Sequence, residues 1–398
     1  MSDPRPEVAF VVQRYGEGIT GGSESLARAV AERLAADHRI TVFTTCARDY
    51  VTWRNELPEG RESLGGVEVL RFPVVEERDL AAFNAFAEPL YVRERSHEEE
   101  LEFLRRQGPH APSLVESLAA QKDRFAAVVF FTYLYAPTYW GLKAAPERSA
   151  LVPTTHDEPP LRLGVYREVF ALPRAFGFLT PAEEALVRRR FPLGERPGFL
   201  VGMGVEVPEP PDVAGFRARH GLDRPYVLYA GRIDAGKGCE EMLAHHRRYR
   251  RERNGEAELV LIGRLAMPLP DEPGVRYLGF LPEGEKAAAM AGARAVVCPS
   301  PYESLSIVLL EGFALGTPGL VSARSPVLEE HCRRSNAGLF YADGDEYVEA
   351  MDVLVREGRL RAALGANGRR YVETEYRWDA VLARWRDLVR AAAGDRLS

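Results

Sequence analysis

The sequence predicts two doubly wound α/β domains, each a parallel sheet with helices on both faces. Short β-rich runs alternate with helical stretches along both halves of the 398 residues, the pattern of a parallel sheet built from crossover units. A proline-rich segment, Val207–Asp212, separates the halves. Hydrophobic residues make up 46% and charged residues 28% of the chain, enough apolar material for two cores in a globular protein of ordinary composition.

The elements follow in order. Val8–Gln13 reads as a buried strand, and a glycine-rich loop runs from Gly16 to Gly22. Ser23 is the expected N-cap of a helix with Leu26, Val30 and Leu34 on one face. Further strands are expected at Ile40–Thr44, Val67–Phe72, Ala127–Phe131, Ala150–Thr154 and Ala175–Leu179. Between the third and fourth strands lies a charged insertion, Glu76 to Arg124. Its Arg93–Arg106 stretch reads as a solvated helix covering the surface, with acceptor recognition as the functional alternative.

After the linker, strands are expected at Tyr226–Tyr229, Leu259–Ile262, Val275–Leu278, Ala295–Cys298 and Gly319–Val321. Helices are expected near Glu240–Arg253, Glu283–Ala291, Ser306–Leu315 and Glu346–Arg356. The tail places Trp378, Val381, Leu382, Trp385 and Val389 on one helical face. The expected division is a Rossmann-like domain over 1–205, a second over 213–375, and a terminal helix, 376–398, packing back on the first. Two such domains face a cleft, with ligands at the carboxyl ends of the strands.

Composition excludes several classes. A net charge of −6 argues against a dedicated nucleic-acid binder. The first ten residues lack a charged stretch followed by a long apolar core, so a signal peptide is not expected. The apolar run Phe125–Phe131 is too short to span a bilayer. Cys46, Cys239, Cys298 and Cys332 show no zinc-ligand spacing and read as free thiols of a cytoplasmic protein. Asp343–Asp345 imitates a metal-binding DxD, but it precedes a helix and reads as turn and cap, so no metal site is assigned. The basic run His245–Arg253 reads as the solvated face of the helix after Lys237, with a nucleic-acid or anionic-lipid surface as the weaker alternative.

Two stretches carry chemistry. Gly231–Gly238 brackets two cations, Arg232 and Lys237, on a loop after an apolar strand. It has the shape of a P-loop, but the final position is Gly238, so the hydroxyl that would hold Mg²⁺ is missing. The P-loop NTPase reading is therefore the weaker one. The other reading sets both cations where charge develops on a leaving diphosphate. In Pro301–Glu311 a strand end leads into a helix starting near Ser306. The first N–H groups there, Ser306 and Ile307 among them, form an anion site. Glu303, before the turn, can accept hydrogen bonds from sugar hydroxyls, and Glu311, a turn inside, can hold a ribose diol. Helix capping and surface exposure are the plain alternatives. His156 ends an apolar run at an expected strand terminus, either as a structural hydrogen-bonder or as a functional one.

With these residues the chain resembles the family 4 glycosyltransferases of the GT-B fold. Their E-x7-E signature is seen here as Glu303 to Glu311. The resemblance runs nearly end to end: Gly21-Gly22, Thr155–Asp157, Gly204–Glu206, Gly231-Arg232 with Lys237, Leu261–Gly263, Tyr277–Leu281, and the final helix opened by Trp378. It implies a retaining, metal-independent transferase, without cofactor, that moves a sugar from a UDP- or GDP-sugar to a glycan, lipid-linked or small-molecule acceptor, as in polysaccharide biosynthesis. Arg232 and Lys237 would hold the diphosphate, Glu311 the ribose, Glu303 the donor sugar, and His156 would contact the sugar in transfer. Gly22 would let the backbone approach the phosphate, and the base would lie near Gly263 and Leu281. A non-catalytic nucleotide-sugar binder of the same fold is the other alternative. Peripheral contact with the inner membrane face is left open, with Arg188–Arg190 as its candidate surface. The chain departs from the family at Glu303–Ser306, where Glu-Gly-Phe-Gly is frequent, and at Ala323–Val327, where a Gly-Gly turn is frequent. Both departures touch the donor-sugar pocket.

Overall fold

In a computed structural model, which describes residues 5–19, 21–206 and 211–397, the chain forms two compact units. One holds the residues up to Met203 and those from Leu382 onward; the other is Gly204–Val381. Residues 207–210 of the expected linker lie outside the described residues.

The first unit is an eight-stranded sheet in the order β3-β4-β2-β1-β5-β6-β7-β8. Its strands are β1 (Glu7–Val11), β2 (Arg39–Thr45), β3 (Gly60–Leu64), β4 (Val67–Phe72), β5 (Ala127–Phe131), β6 (Ser149–Val152), β7 (Ala175–Phe178) and β8 (Gly198–Leu200). Every pairing is parallel except β3 with β4. Strand β5, all apolar and buried at each residue, is central. Strand β3, polar and mostly exposed, is the antiparallel edge, the charged, short kind of edge that resists pairing with other chains.

Two expectations need correction here. The helix after the glycine loop begins at Gly22 with Gly21 in the cap position, and no side chain among the described residues caps it; Ser23 Oγ instead accepts from Gln13 Nε2 at 2.9 Å. The charged insertion is more than a solvated cover. It forms helices Leu80–Leu90, His97–Gln107 and Pro112–Gln121, which place Phe83, Leu90, Phe103, Leu104, Leu114 and Leu118 in the core. Ser96 and Glu99 form a capping box on the middle helix; in its acidic first turn Glu98 is exposed, whereas Glu100 is buried and accepts from the Gly164 and Val165 amides.

The helix Trp378–Ala393 spans the boundary between the units. Its Trp385 lies in the first unit's core, stacked on Phe131 at 5.8 Å, with Nε1 donating to the Gly202 carbonyl at 3.1 Å.

The second unit is a six-stranded, all-parallel sheet in the order β11-β10-β9-β12-β13-β14. Its strands are β9 (Tyr226–Ala230), β10 (Glu258–Ile262), β11 (Val275–Tyr277), β12 (Val296–Cys298), β13 (Gly319–Ser322) and β14 (Gly338–Tyr341). Strand order reverses between β9 and β12, which pair through Leu228 and Val296. The carboxyl ends of such a pair are where open α/β sheets bind ligands. The basic run after β9 lies on helix Cys239–Glu252, where Arg247 and Arg248 pair with Glu272, Glu252 and Asp345 while His246 and Tyr249 are buried. Asp343 caps the helix Gly344–Arg356 by accepting from the Asp345 and Glu346 amides.

Candidate nucleotide-sugar site

The loops leaving β9 and β12 meet. Lys237 Nζ donates to Glu303 Oε1 at 2.8 Å, joining the two sequence motifs in one ion pair. Asp234 sets the first loop, accepting from the Lys237 amide at 2.8 Å and pairing with Arg232. Helix Cys239–Glu252 then starts at Gly238, whose φ of 76° is left-handed. A Cβ there would stand 2.6 Å from the Pro299 carbonyl oxygen. The glycine that breaks the P-loop pattern is therefore required by close approach of the β12 loop, and no Mg²⁺-binding hydroxyl fits at this position.

Gly263, at the end of β10, obeys the same constraint: φ is 121°, and a Cβ would lie 2.1 Å from the Gly231 carbonyl oxygen. Its N–H donates to Gly279, and its carbonyl accepts from Tyr277 Oη at 2.9 Å. Gly263 thus links the β9 loop to the segment that carries Leu281, which is buried at 9% exposure.

In the loop after β12, Ser306 occupies the cap position of helix Ile307–Ala314 with φ 60°, a conformation that favours glycine. The loop is held from behind. His331 Nε2 donates to the Leu305 carbonyl at 2.8 Å, and Nδ1 accepts from Tyr371 Oη at 3.1 Å. Burial pushes the His331 pKa down to about 4, so the ring is neutral with one N–H, as both bonds require.

Glu311 lies within that helix and apart from the Lys237–Glu303 pair in its contacts. Its Oε1 accepts from Lys286 Nζ at 2.9 Å, while Oε2 is buried without a hydrogen-bond partner among the described residues. Burial raises the carboxyl pKa, and Lys286 opposes the rise. A buried carboxylate oxygen left open beside a cation suits a ligand hydroxyl.

His156 and Gly22 belong to the first unit. Gly21 has no room for a side chain, since a Cβ would stand 2.2 Å from Glu24 Oε2, whereas a Cβ on Gly22 would meet no atom within 4 Å among the described residues. Glu24 is itself fixed by Arg14, with both side chains 6% exposed. His156 follows β6, and its Nε2 lies 3.3 Å from Glu158 Oε2, while Glu158 Oε1 accepts from Tyr133 Oη at 2.7 Å. The structure thus joins Lys237 to Glu303, puts Ser306, Ile307 and Glu311 on the next helix, and lines the neighbouring strand ends with Arg232, Gly263 and Leu281. Sequence reasoning missed Lys286, His331, Glu158 and Glu183. Each makes a hydrogen bond to a partner 25 or more residues away, and no local spacing signals that pairing.

Residues 215–371 match the family described as glycosyl transferases group 1. The MMP alpha-(1->4)-mannosyltransferase of Mycolicibacterium hassiacum is 31% identical over 193 residues, 44% of this chain and 46% of the relative. The D-inositol 3-phosphate glycosyltransferase of Frankia alni is 34% identical over 191 residues, 42% of this chain and 47% of the relative. The chain thus spans about half the length of the curated relatives it matches. Among solved structures, sucrose-phosphate synthase from Thermosynechococcus elongatus superposes with a TM-score of 0.73 at 21% identity, over 97% of this chain and 98% of that one. Anabaena HepE in complex with UDP and glucose gives 0.70 at 13% identity, over 96% and 99%. These likenesses establish the fold as GT-B.

Proposed function

We propose that this chain, a GT-B protein whose residues 215–371 belong to the glycosyl transferases group 1, moves a sugar from a nucleoside-diphosphate donor to an acceptor hydroxyl with retention of configuration. The observation that carries the reading is the Lys237–Glu303 pair at the strand-order reversal of a GT-B sheet. Lys237 and Arg232 would neutralise the diphosphate as the glycosidic bond breaks. The amides opening helix Ile307–Ala314 add donors for the same anion. With these groups in place the reading needs no metal.

Glu303 would exchange part of its contact with Lys237 for donor-sugar hydroxyls. Glu311 Oε2 would accept a ribose hydroxyl, and Lys286 would hold the other oxygen. Gly22 would admit close approach of a phosphate. His156 would contact the transferring sugar, and the leaving phosphate itself would take the acceptor proton; no enzymic nucleophile is assigned. Glycan, lipid-linked and small-molecule alcohols all fit this chemistry, and a peripheral membrane site at Arg188–Arg190 would serve a lipid-linked one. Two donor classes are suggested by relatives: HepE was solved with UDP and glucose, and a mannosyltransferase of Mycobacterium tuberculosis, 29% identical over 203 residues, is named as GDP-mannose-dependent.

A thermal-shift panel of UDP, GDP, ADP and ATP, each with and without Mg²⁺, tests the reading, because a ligand that binds only the folded state raises the melting point. A metal-independent shift with UDP or GDP supports the site and names the base. A shift only with ATP and Mg²⁺ would favour an NTPase, and silence throughout would remove the site. Binding followed by no turnover with any sugar donor would leave a non-catalytic nucleotide-sugar binder.

A further inference from the structure

Where β6 leaves its sheet, the backbone adopts an unusual course. Thr154 has φ 50° and Thr132, at the end of neighbouring β5, has φ 66°. β-Branched residues rarely occupy this left-handed region, and they persist there only where the surroundings impose it. Part of that constraint is a hydrogen bond from Thr154 Oγ1 to Thr132 Oγ1 at 3.1 Å.

A further tie comes from Glu183. This glutamate lies on helix Pro181–Arg190 after β7 and is 1% exposed. Its Oε1 accepts from the Thr155 amide and its Oε2 from the Leu179 amide, the latter at 2.6 Å. One carboxyl group thus ties the exit of β6 to the exit of β7. Burial pushes its pKa up to about 8 against the pull of those two amides and of His156. Helix capping does not require it, because Thr180 Oγ1 already accepts from the Glu183 amide at 3.2 Å. A fully buried carboxyl is costly to keep, and the group it immobilises is the Thr154–Thr155 peptide, one peptide before the one that enters His156.

We propose that Glu183 is a positioning residue for His156, fixing the Thr154–Thr155 peptide that leads into it while Glu158 faces the imidazole ring; this rests on the reading of His156 as a contact to the transferring sugar. Glu158 Oε2 lies 3.3 Å from the ring and is itself anchored by Tyr133. The imidazole thus meets Glu158 at its edge, and the chain leading into it is tied by Glu183. Glu183 has no contact with substrate in this scheme and acts only through His156.

The test is a double-substitution cycle. Glu183→Gln turns one acceptor into a donor facing a backbone N–H, and Glu183→Asp keeps the acid but is too short to reach both amides. Val187→Ala, a buried cavity on the same helix, controls for lost stability. The readout is release of UDP from UDP-glucose, or GDP from GDP-mannose, with water as acceptor. Glu183→Gln and Glu183→Asp are expected to lower kcat by at least about tenfold, the cost of losing a buried hydrogen bond at a positioned group. Nucleoside-diphosphate affinity should stay within about twofold, and Val187→Ala should leave kcat unchanged.

In the His156→Ala background neither Glu183 substitution should lower kcat further. Multiplying effects, or full activity of both Glu183 variants beside an impaired His156→Ala, would overturn the proposal alone. Full activity of His156→Ala would overturn the reading of His156 and this proposal with it. Without turnover, the imidazole Cε1–H resonance, assigned by its loss in His156→Ala, gives the same answer: displaced by Glu183→Gln but not by Val187→Ala if the proposal holds, unmoved if it does not.

Discussion

Glu311 has one oxygen held by Lys286 and one buried and open. Replacing it by alanine removes the proposed ribose acceptor without creating a new buried charge, since Lys286 keeps Glu283 at 2.7 Å. Glu311→Ala and Lys237→Ala should each weaken nucleoside-diphosphate binding by about ten- to a hundredfold, the range of one or two charge-assisted hydrogen bonds. Circular dichroism should show both variants folded. His246 makes a separate prediction. Burial pushes its pKa from 6.5 down to about 3, so the unfolded chain binds more protons than the native one across that interval. Stability is then lost as pH falls below about 6.5, and His246→Leu should flatten the acid limb of a melting-temperature profile between pH 7 and pH 5. At this scale the chemistry-bearing residues were legible where a loop and its charges adjoin in sequence, as at Arg232–Lys237 and Glu303–Glu311. Glu183 and His331 were not, because the partners that give them a role, Thr155 and Leu305, lie 28 and 26 residues away.

At the scale of elements, the departure at Gly238 is explained by its approach to Pro299. Gly238→Ser would complete the P-loop pattern, yet it should destabilise by about 1–3 kcal/mol through the left-handed backbone and the clash. It should confer no Mg²⁺-dependent ATP hydrolysis, which a phosphate-release assay beside a urea melt would check. His331→Leu fills similar space but leaves the Leu305 carbonyl and Tyr371 without their shared partner. It should raise the KM for the sugar donor several-fold, about the effect of one lost positioning bond, with a smaller loss in UDP or GDP affinity.

Elements with continuous apolar runs, such as Ala127–Phe131, were legible to the residue. Strand β3 was not, because its Gly-Arg-Glu-Ser-Leu is an exposed edge with no buried face. Helix Gly358–Glu375 was hidden by Gly358, Gly365 and Gly368, which lower helix propensity. Two of these glycines have a packing reason: a Cβ on Gly365 would lie 2.1 Å from the Gly316 carbonyl oxygen, and one on Gly368 would lie 3.1 Å from Phe313 Cβ.

For the whole molecule, the alternation of strand and helix was enough to expect two doubly wound sheets. The reversal between β9 and β12 then gives the Arg232–Lys237 and Glu303–Glu311 loops their shared edge. What alternation could not supply was the assignment of the tail and the insertion, since both depend on tertiary packing: Trp385 on Phe131, and Phe103 and Leu104 in the first core. In the proposed function, the edge built by Lys237, Glu303 and Glu311 holds a nucleoside diphosphate without metal. Calorimetric titration of UDP and GDP into the wild-type chain, Lys237→Ala and Glu311→Ala, all in EDTA, tests it most directly. The wild type should bind one of the two nucleotides saturably, and both variants should lose affinity clearly. Equal affinity in all three proteins, or binding that appears only when Mg²⁺ is restored, would contradict the proposed function.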